Sequence, residues 1–590
     1  MKNKFLLPVS LLAVFALASC EEVLPVSSSN QDEPSSISYP DGESVSIDVT
    51  ETPEIPSIIV EEGDFVLSTE DGSFTQEENI YTITAAGTYS AEGILENGQI
   101  VINAKDAEVV LELNGATISS TFDSPIKALK ADKLEISAKK NTENGIYDNR
   151  DTKVVDDENL GEGAINAKCD LKLKGAGVLV VEGNYNNGVH TTKDLTIQKE
   201  ELFVLAYNNA IKGKNSITMN SGNVTAVSKN GNGLKTDNTD VSSKGNQRGI
   251  ISINGGTLYV DSTYDAIDAS YNVVVDEKND ESVDTVITVK TGKNATYSSN
   301  YSSVDTSSKG LKADNDITIN AGTITIAATD DAIHANYGDE FDNGGTGAGT
   351  VNIFGGVIGI ASGDDGIHAD HTLNVNNGSI TITNAYEGLE ANHINFNGGE
   401  AHIYATDDGV NAANKVNEAP TISVAGGFLD ITIAKGDTDG IDSNGTYSQT
   451  GGVVVSRGSP NNASNMSTGL DCDNGATIYG GTFIAFNGVE KNPTTGNGVL
   501  YAYYGTTGQG GPGGPGGPGG PGGRANGVTF ASGQYTLSGG DMSFSFYNQY
   551  VYSKFLVYSD QLKTGTSYTL VNGSNTLLSW TQSSSSQSIG

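Results

Sequence analysis

The chain has 590 residues, of which 74 are glycine and only 14 are proline, and 36% are hydrophobic. Short apolar runs recur along most of it, which argues against disorder and favours a fold with many turns and a thin core. The formal net charge of −39 argues against nucleic acid and anionic membranes as partners and suits cations or neutral ligands.

The beginning of the chain predicts a targeting segment over residues 1–20. Lys2 and Lys4 precede an apolar run that is too short to span a bilayer. The run ends in LASC, which resembles the lipobox of bacterial lipoproteins and implies that cleavage leaves Cys20 as a lipidated N-terminus. An ordinary secretory signal with a chance cysteine is the alternative. We therefore expect a protein of the cell envelope that is lipid-anchored and faces outside the cytoplasm, at the cell surface or the outer membrane.

Composition divides the rest of the chain into four segments. Residues 21–60 are rich in Ser, Pro and acidic residues, which predicts a flexible tether. Residues 61–505 carry strand patterns and are expected to form the folded body, with a cap at its N-terminal end. Residues 506–524 repeat Gly and Pro and predict a flexible loop. Residues 525–590 return to strand patterns rich in aromatic residues, which predicts a β-rich C-terminal cap.

A repeat of roughly 22 residues begins near residue 120 and has a polar–small–aliphatic–polar–small core. Examples are NNAIKG, YDAIDA, DDAIHA and DDGIHA, followed by runs in which apolar and polar residues alternate. The triplets NNG, NAG and NGG between these runs supply the positive φ angles of tight corners. The pattern predicts an all-β, single-stranded parallel β-helix with one coil per repeat. The aliphatic anchors of the repeats are Ile165, Val189, Ile211, Leu234, Ile267, Leu311, Ile333, Ile367, Leu389, Val410, Ile441 and Leu470.

The repeats resemble a known family. The G-G-x-I-x-I and DD-[AG]-I-H-A units, the lipoprotein-like start and the Gly-Pro-Gly insert together resemble the secreted bacterial "carbohydrate-binding domain-containing" proteins. The resemblance covers roughly residues 60–585. It implies a right-handed, pectate-lyase-like parallel β-helix that binds acidic plant polysaccharide and calcium. Because Cys169 and Cys472 lie in distant repeats, we expect no disulfide between them.

Aligning the repeats on their anchors predicts two columns of side chains. The first column lies two residues before each anchor, and acids occupy it in five consecutive repeats from Asp331 to Asp439. The second column lies one residue after each anchor and is expected to point outward. The carboxylates predicted to bind metal are Asp265, Asp268, Asp330, Asp331, Asp364, Asp365, Glu387, Glu390, Asp407, Asp408, Asp439, Asp442 and Asp471.

The stacked carboxylates predict calcium binding. Like charges on strands that lie about 4.8 Å apart repel by roughly 1 kcal/mol or more per pair. Bound Ca²⁺ relieves that repulsion, since it takes about six to eight oxygen ligands. A solvated row of turn residues is the alternative, because Asp and Asn are common at corners. The adjacent DD pairs favour calcium, since one Asp would satisfy the turn.

Several other residues are candidates for contact with a ligand. Lys309 and Lys312 share the repeat between two acidic ones, where a uronate polymer could use both charge types, although charge balance between repeats is an equal alternative. His334 and His368 are expected to stack in the second column, either as ligands or as filling of a turn. Tyrosine side chains could support sugar rings or simply pack, and the candidates are Tyr264, Tyr337, Tyr386 and Tyr404.

Catalysis is the minority hypothesis. The GHG and RIK segments of polygalacturonase-like hydrolases are absent from the sequence, and no Arg falls in a column position. A calcium-dependent lyase would need a base, and Lys312 would require a lowered pKa that neighbouring acids oppose. We therefore expect a monomer that binds polysaccharide without catalysis and with calcium as cofactor, the ligand being pectin-like, polygalacturonate-like or cellulose-like. A uronate lyase and a surface adhesin or scaffold are the alternatives.

Overall fold

The computed structural model describes residues 52–58, 63–198, 200–277, 284–292, 307–336, 349–436, 438–460, 467–505 and 527–589. The predicted targeting segment with Cys20, most of the tether, the Gly/Pro loop and Tyr337 lie outside these residues. Within the described ranges the chain forms fifty strands and no α-helix. Accordingly, no helix in those ranges is long and apolar enough to cross a bilayer.

The first strands combine antiparallel and parallel pairing. Strand β1 pairs antiparallel with β4, and β2 with β3, whereas β3–β5 and β4–β6 are parallel. The antiparallel pairs cover the edge at which the parallel pairing begins. The strands are β1 (Val66–Thr69), β2 (Phe74–Glu77), β3 (Ile80–Ile83), β4 (Gly87–Leu95), β5 (Gln99–Asn103) and β6 (Glu108–Ser120).

The central strands pair in parallel, and most of them pair with the strand three positions further along the chain. They are β7 (Ile126–Lys130), β8 (Lys133–Ala138), β9 (Glu143–Asp148), β10 (Gly163–Ala167), β11 (Asp170–Gly175), β12 (Val178–Gly183), β13 (Asn187–Thr191), β14 (Asp194–Gln198), β15 (Glu200–Ala206), β16 (Ile211–Gly213), β17 (Ser216–Met219), β18 (Gly222–Ser228), β19 (Leu234–Lys235), β20 (Ile250–Ile253), β21 (Gly256–Ser262), β22 (Ile267–Ala269), β23 (Asn272–Val275), β24 (Thr285–Thr291), β25 (Leu311–Ala313), β26 (Asp316–Ile319), β27 (Thr323–Ala328), β28 (Ile333–Ala335), β29 (Thr350–Ile353), β30 (Val357–Ser362), β31 (Ile367–Val375), β32 (Ser379–Asn384), β33 (Leu389–Phe396), β34 (Glu400–Ala405), β35 (Val410–Ala412), β36 (Thr421–Val424), β37 (Phe428–Ile433), β38 (Ile441–Ser443), β39 (Thr446–Gln449), β40 (Val453–Arg457), β41 (Ala476–Ile478), β42 (Thr482–Phe486), β43 (Thr494–Thr495) and β44 (Leu500–Tyr504).

One series of parallel pairs carries the predicted anchors, and we call it the anchor ladder. It runs through β7, β10, β13, β16, β19, β22, β25, β28, β31, β33, β35 and β38. Its register pairs Ile267 with Leu311, Leu311 with Ile333, and Ile333 with Ile367. These side chains are fully buried, and burial of each stabilises the fold by about 1.5–3 kcal/mol. The register confirms the sequence alignment for the eleven anchors from Ile165 to Ile441, whereas Leu470 lies outside the strands of the ladder.

Glycines stack at one corner between successive repeats. Gly399 has φ of 80° and Gly427 has φ of 76°, a region that L-residues seldom adopt. A Cβ on Gly399 would lie 2.6 Å from the carbonyl oxygen of Gly378, and one on Gly427 would lie 2.5 Å from that of Gly399. Glycine is thus required at both corners, by the turn and by the close approach of the neighbouring corner.

The C-terminal strands form a separate antiparallel sheet and also close the large sheet. Strands β46, β45, β48 and β49 make the small sheet, while β47 pairs antiparallel with β42 and β44. The strands are β45 (Gly533–Gly539), β46 (Met542–Asn548), β47 (Phe555–Ser559), β48 (Ser567–Asn572), β49 (Asn575–Thr581) and β50 (Ser586–Ser588).

Arg457 joins the C-terminal segment to the parallel strands. Its side chain is fully buried, and its guanidinium contacts the Asp430 carboxylate. It also donates to Asn548 Oδ1 at 2.7 Å, to the Tyr547 carbonyl at 2.9 Å and to the Ile431 carbonyl at 2.8 Å. A buried charge of this kind is stable only when it is paired and hydrogen-bonded.

Both cysteines of the described chain agree with the sequence expectation. Cys169 and Cys472 are buried and free, so no disulfide joins them. Burial raises the pKa of the Cys169 thiol to about 11.

Candidate functional site

The anchor ladder places the two predicted columns side by side. In the second column the register pairs Asp268 with Lys312, Lys312 with His334, and His334 with His368. It continues from His368 to Glu390 and onward to Asn411 and Asp442. Residues that lie far apart in sequence are therefore direct neighbours across strands, as the alignment predicted.

The first column is mostly buried and has a structural function. Asp331 Oδ1 accepts a hydrogen bond from the backbone amide of Asp365 at 3.0 Å, and Asp365 Oδ1 accepts one from that of Glu387 at 3.3 Å. Asp408 Oδ1 does the same for the amide of Asp439 at 2.6 Å. One oxygen of each carboxylate thus satisfies the corner of the next repeat, which supports the turn-residue alternative for that oxygen only.

Lysine and histidine side chains neutralise the middle of the acidic columns. Lys309 Nζ lies 2.7 Å from Asp330 Oδ1 and 2.7 Å from Asp331 Oδ2, and His334 Nδ1 lies 2.5 Å from the same Asp331 oxygen. Although burial opposes it, Lys309 and His334 hold the pKa of Asp331 well below its usual range. Asp364 completes a group with Asp330 and Asp331 whose oxygens lie within 4.8 Å, and burial together with those two acids raises its pKa to about 7.

The next repeats are neutralised in the same way. His368 Nδ1 lies 2.8 Å from Asp365 Oδ2 and 2.9 Å from Glu390 Oε2, and Lys415 Nζ lies 2.7 Å from Glu390 Oε2. Burial alone would raise the pKa of Glu390, but His368 and Lys415 lower it to about 2. Burial and the charge of Asp331 leave the pKa of Asp365 well above its usual value despite its bond to His368.

At the N-terminal side, lysines approach the first predicted acids. Lys235 contacts the Asp268 carboxylate, and Lys312 Nζ lies 3.7 Å from Asp268 Oδ1 and 3.8 Å from Asp265 Oδ2. Burial would lower the pKa of Lys312, but Asp268, Asp265 and Asp314 raise it. This is the direction expected from the sequence, and it is unfavourable for a general base.

The C-terminal acids have a different environment. Asp408, Asp442 and Asp471 are half-buried, and within the described ranges they form no ion pair with Lys, Arg or His. Burial, followed by Asp407 and Asp442, raises the pKa of Asp408 to about 8. Burial and Glu490 raise the pKa of Asp471 to about 7. The negative charge of these three carboxylates is therefore not balanced by cationic side chains of the described chain.

Two buried oxygens in the same region lack hydrogen bonds. Glu387 accepts from Asn411 Nδ2 at 2.8 Å through Oε1, while Glu387 Oε2 and Asn411 Oδ1 have no hydrogen-bond partner among the described residues. Burial, Asp365 and Glu390 raise the pKa of Glu387 to about 10. Oxygen atoms of this kind are suitable ligands for a hard cation.

Four clusters in the described chain bring three potential metal-ligand atoms within 4.8 Å of one another. Three of them lie on the acidic columns, and the fourth uses neighbouring strands. They are Asp330–Asp331–Asp364, Asp331–His334–His368, Asp365–His368–Glu390 and His371–His393–Glu418. The other predicted acids are not brought into such a cluster within the described ranges, and those are Asp265, Asp268, Glu387, Asp407, Asp408, Asp439, Asp442 and Asp471.

The sequence alignment missed several members of the site. Asp370 lies three residues after the anchor Ile367, and Lys415 lies five residues after the anchor Val410. Glu490 lies after the last anchor. Extending the alignment three residues past each anchor would have found Asp370, because Asp314 occupies the equivalent position.

Two of the tyrosine candidates differ sharply in exposure. Tyr386 is 38% exposed and lies between Asp364 and Asp407 in adjoining repeats, with backbone hydrogen bonds of 2.8 Å to each. A hydrogen bond with Asp407 and burial raise the pKa of its hydroxyl. Tyr404 is buried, with its hydroxyl 3.4 Å from that of Tyr550, so packing is its role.

The chain is an all-β protein with parallel strands and an acidic, partly exposed column, and its sequence matches one described family. Residues 77–350 and 341–437 match the "Carbohydrate-binding domain-containing protein" family. The chain belongs to this family, in agreement with the resemblance seen in the sequence.

Two similar proteins have names that refer to carbohydrate. A carbohydrate-binding domain-containing protein of Acetivibrio thermocellus is 30% identical over 206 residues, which are 35% of this chain and 65% of that relative. The chain thus spans just under two thirds of the relative's length. A solved structure, titled a polysaccharide lyase-like protein from C. thermocellum in a gadolinium derivative, is 30% identical with a TM-score of 0.34 and covers 38% of this chain and 88% of that one.

Proposed function

We propose that the protein binds polysaccharide without catalysis and in a calcium-dependent manner at the bacterial cell surface. The observation that carries the proposal is the half-burial of three C-terminal carboxylates that form no ion pair with Lys, Arg or His among the described residues, namely Asp408, Asp442 and Asp471. Membership of the carbohydrate-binding family supports polysaccharide as the partner.

The architecture that we propose is a parallel β-helix. Its support is the three-strand period of the pairing, in which β10 pairs with β13, β11 with β14 and β12 with β15. Repeats that advance by one strand spacing place equivalent residues about 4.8 Å apart. That spacing gives an extended polymer a regular series of equivalent contacts.

Calcium is the cation that the donor set favours. The candidates in the C-terminal repeats are all oxygens, and they include the orphaned Glu387 Oε2 and Asn411 Oδ1. Ca²⁺ accepts about six to eight such ligands, including carbonyls and amides. We assign ligand oxygens to two neighbouring pairs, Glu387 with Asn411 and Asp408 with Asp442. Each pair would contribute part of a coordination shell that water and ligand oxygens complete. In the earlier repeats Lys309 and His368 already neutralise the acids, so we assign calcium mainly to the C-terminal part.

An acidic glycan is the ligand class that this arrangement suits best. The net charge of −39 would repel a uronate polymer on its own. Calcium shared between the Asp column and uronate carboxylates converts that repulsion into bridging. Tyr386, exposed beside Asp407, offers an aromatic face for a sugar ring. Cellulose-like polymers remain the second ligand class, bound through such faces.

The proposed location at the envelope rests on the sequence alone. The lipobox-like LASC segment supports a lipid anchor at Cys20. The acid-rich residues 21–60 would then separate the folded body from the membrane. We propose a monomer attached in this way.

The test measures binding of the full chain to polygalacturonate, with calcium and with a chelator. The Asp442→Asn variant should weaken calcium-dependent binding at least about tenfold, as loss of a metal-site group does. Asp541→Asn is the matched control, because Asp541 is exposed in the turn between β45 and β46. Binding that chelator leaves intact would contradict the calcium bridge.

The same samples discriminate the alternative functions. Incubation with polygalacturonate should produce no ultraviolet absorbance from unsaturated uronides, whereas its appearance would establish lyase activity. A glycan array with and without calcium extends the ligand set to neutral polymers. Failure of every glycan to bind would favour the adhesin or scaffold hypothesis.

A further inference from the structure

Two histidines and one glutamate meet beside the acidic columns, at the ends of neighbouring strands. A ring nitrogen of His371, a ring nitrogen of His393 and a carboxylate oxygen of Glu418 lie within 4.8 Å of one another. The two histidines lie on β31 and β33, and Glu418 lies in the loop before β36. Glu418 follows His393 by 25 residues, so the group is assembled by the register, which pairs His393 with Thr372 and with Thr421.

The buried amide of Asn392 shows which nitrogen of His393 has a lone pair. Asn392 is fully buried, and its Oδ1 accepts from the backbone amides of Lys415 and Val416, both at 3.2 Å. Its Nδ2 is therefore the atom that faces His393 Nε2 at 3.1 Å and the Glu418 carbonyl at 3.3 Å. Because an amide nitrogen can only donate, His393 Nε2 accepts and is unprotonated.

Threonine hydroxyls face the other nitrogen of both rings. His393 Nδ1 lies 2.9 Å from Thr421 Oγ1, and His371 Nδ1 lies 2.7 Å from Thr372 Oγ1. When Nδ1 donates to a hydroxyl oxygen, the ring is in the neutral tautomer in which Nε2 keeps its lone pair. A hydrogen bond at the second ring nitrogen is also the usual way in which a protein orients a metal-binding histidine.

A cation between His393 and Glu418 would be favourable. The unprotonated His393 Nε2 lies 3.1 Å from Glu418 Oε2, and an ionised carboxylate can only accept, so two atoms with lone pairs face each other. No Lys or Arg of the described ranges forms an ion pair with Glu418. Lys415, from the same loop, instead lies 2.7 Å from Glu390 Oε2.

The planes of the two rings permit a shared ion. They cross at 63°, with ring centroids 5.4 Å apart. Nitrogen lone pairs lie in the ring plane, so crossing planes can direct both nitrogens to one point. Ligand atoms about 2.1 Å from a tetrahedral zinc ion are about 3.4 Å apart, so side-chain shifts of about 1 Å would close the group. The Glu418 side chain is 61% exposed and has room for this adjustment.

We propose that His371, His393 and Glu418 form a binding site for a divalent transition-metal ion, with zinc as the expected occupant. Two imidazoles and one carboxylate are typical zinc ligands, and they leave a fourth position for water or for a ligand group. Calcium prefers oxygen and is not expected here. The ion takes the Nε2 lone pair of His393 from Asn392, whose amide keeps its bond to the Glu418 carbonyl. The site does not depend on glycan binding or on calcium.

Two alternatives compete with this site. In the first, protonated His393 donates from Nε2 to Glu418, and the resulting ion pair has no special affinity for metal. In the second, zinc binds in the acidic columns, where His368 belongs to two clusters of potential ligand atoms. The experiment therefore needs one variant for each alternative.

The experiment measures binding of Zn²⁺ to the full chain by calorimetry after chelator treatment, in excess Ca²⁺. His393→Gln and Glu418→Gln should each weaken zinc binding by more than the roughly 10–100-fold that loss of an outer partner costs. Thr421→Val removes the hydroxyl beside His393 Nδ1 and should weaken binding about tenfold. His368→Gln tests the acidic columns. Glu158→Gln is the matched control, because Glu158 is also exposed in a loop, between β9 and β10.

The outcomes support or overturn the proposal directly. Retained zinc affinity in E158Q and H368Q, with loss in E418Q, supports it. Wild-type affinity in E418Q overturns it, and loss in H368Q alone assigns zinc to the acidic columns. A wild-type chain that does not bind zinc overturns it in favour of the ion pair. Circular dichroism of each variant checks folding. If H393Q fails to fold, E418Q decides, since Glu418 lies exposed in a loop.

Discussion

Lys309 is the protein's own counterion for two carboxylates, and its removal tests whether that place suits an external cation. Its ammonium lies 2.7 Å from both Asp330 and Asp331, and Asp364 completes the oxygen group. Lys309→Met removes the charge and keeps an unbranched side chain. Because the Asp331 side chain is only 3% exposed, the free energy of unfolding should fall by about 3–5 kcal/mol, the usual effect of breaking a buried ion pair.

Calcium should restore much of the stability that this variant loses. A ligand at about 100 times its Kd stabilises the folded state by about 2.7 kcal/mol, which is comparable to the expected loss. The assay compares urea unfolding midpoints of the full chain in chelator and in calcium. Lys212→Met is the control, because Lys212 lies in the same column and pairs with Asp237 at 2.7 Å, away from the acidic group.

Two results would refute this reasoning. If K309M unfolds at the wild-type midpoint in chelator, Lys309 does not stabilise the carboxylates. If calcium shifts the K309M midpoint no more than it shifts that of the wild type, the freed oxygens do not form a calcium site.

Three further predictions concern other parts of the chain. Arg457→Met should destabilise the C-terminal region by about 3–5 kcal/mol because it breaks a buried ion pair. The control Arg248→Met should change stability by less than about 0.5 kcal/mol, since the Arg248 side chain is 30% exposed. Equal urea midpoints of the two variants would contradict this prediction. Burial and Lys212 lower the pKa of His190 to about 4 from 6.5, so the unfolded state takes up a proton first as pH falls. The free energy of unfolding of the wild type should therefore fall by about 3 kcal/mol between pH 6.5 and 4, at about 1.4 kcal/mol per pKa unit. A similar fall in His190→Gln would rule out His190 as the source. Tyr386→Ala should weaken polysaccharide binding by about 1.5 kcal/mol if a sugar ring buries its apolar face, the lower end of the range for burying a large apolar side chain. Tyr547→Ala is the control, since Tyr547 is 48% exposed on the C-terminal sheet.

The anchors made the columns predictable, whereas the partners of the acids were not. Each anchor marks the same point in its repeat whatever the insert length, so Lys312, His334 and His368 could be placed side by side without structural information. The carboxylates of the first column were expected to repel one another. They instead accept hydrogen bonds from backbone amides of the next repeat, as Asp331 does from the amide of Asp365.

Long-range contacts explain what the sequence could not predict. Lys415 neutralises Glu390 across 25 residues of chain, and no local pattern links them. The pairing of β47 with β42 and β44 depends on where a distant segment returns to the sheet. Arg457 showed no signal in the sequence because its partners come from both sides of the Gly/Pro segment.

The distribution of internal cations gives the acidic columns two chemically distinct parts. From Asp265 to Glu390, lysine and histidine side chains enter the columns and hold the carboxylates in hydrogen-bonded pairs. Burial raises the pKa of acids in both parts, for example Glu387 and Asp442. Asp442 differs in having no ion pair with Lys, Arg or His among the described residues. A protein that needed only solubility could leave these acids fully exposed. Partial burial without an internal cation raises the electrostatic free energy of these carboxylates in the free chain, and a bound cation would lower it. This difference between the free and the bound state would couple calcium to glycan binding.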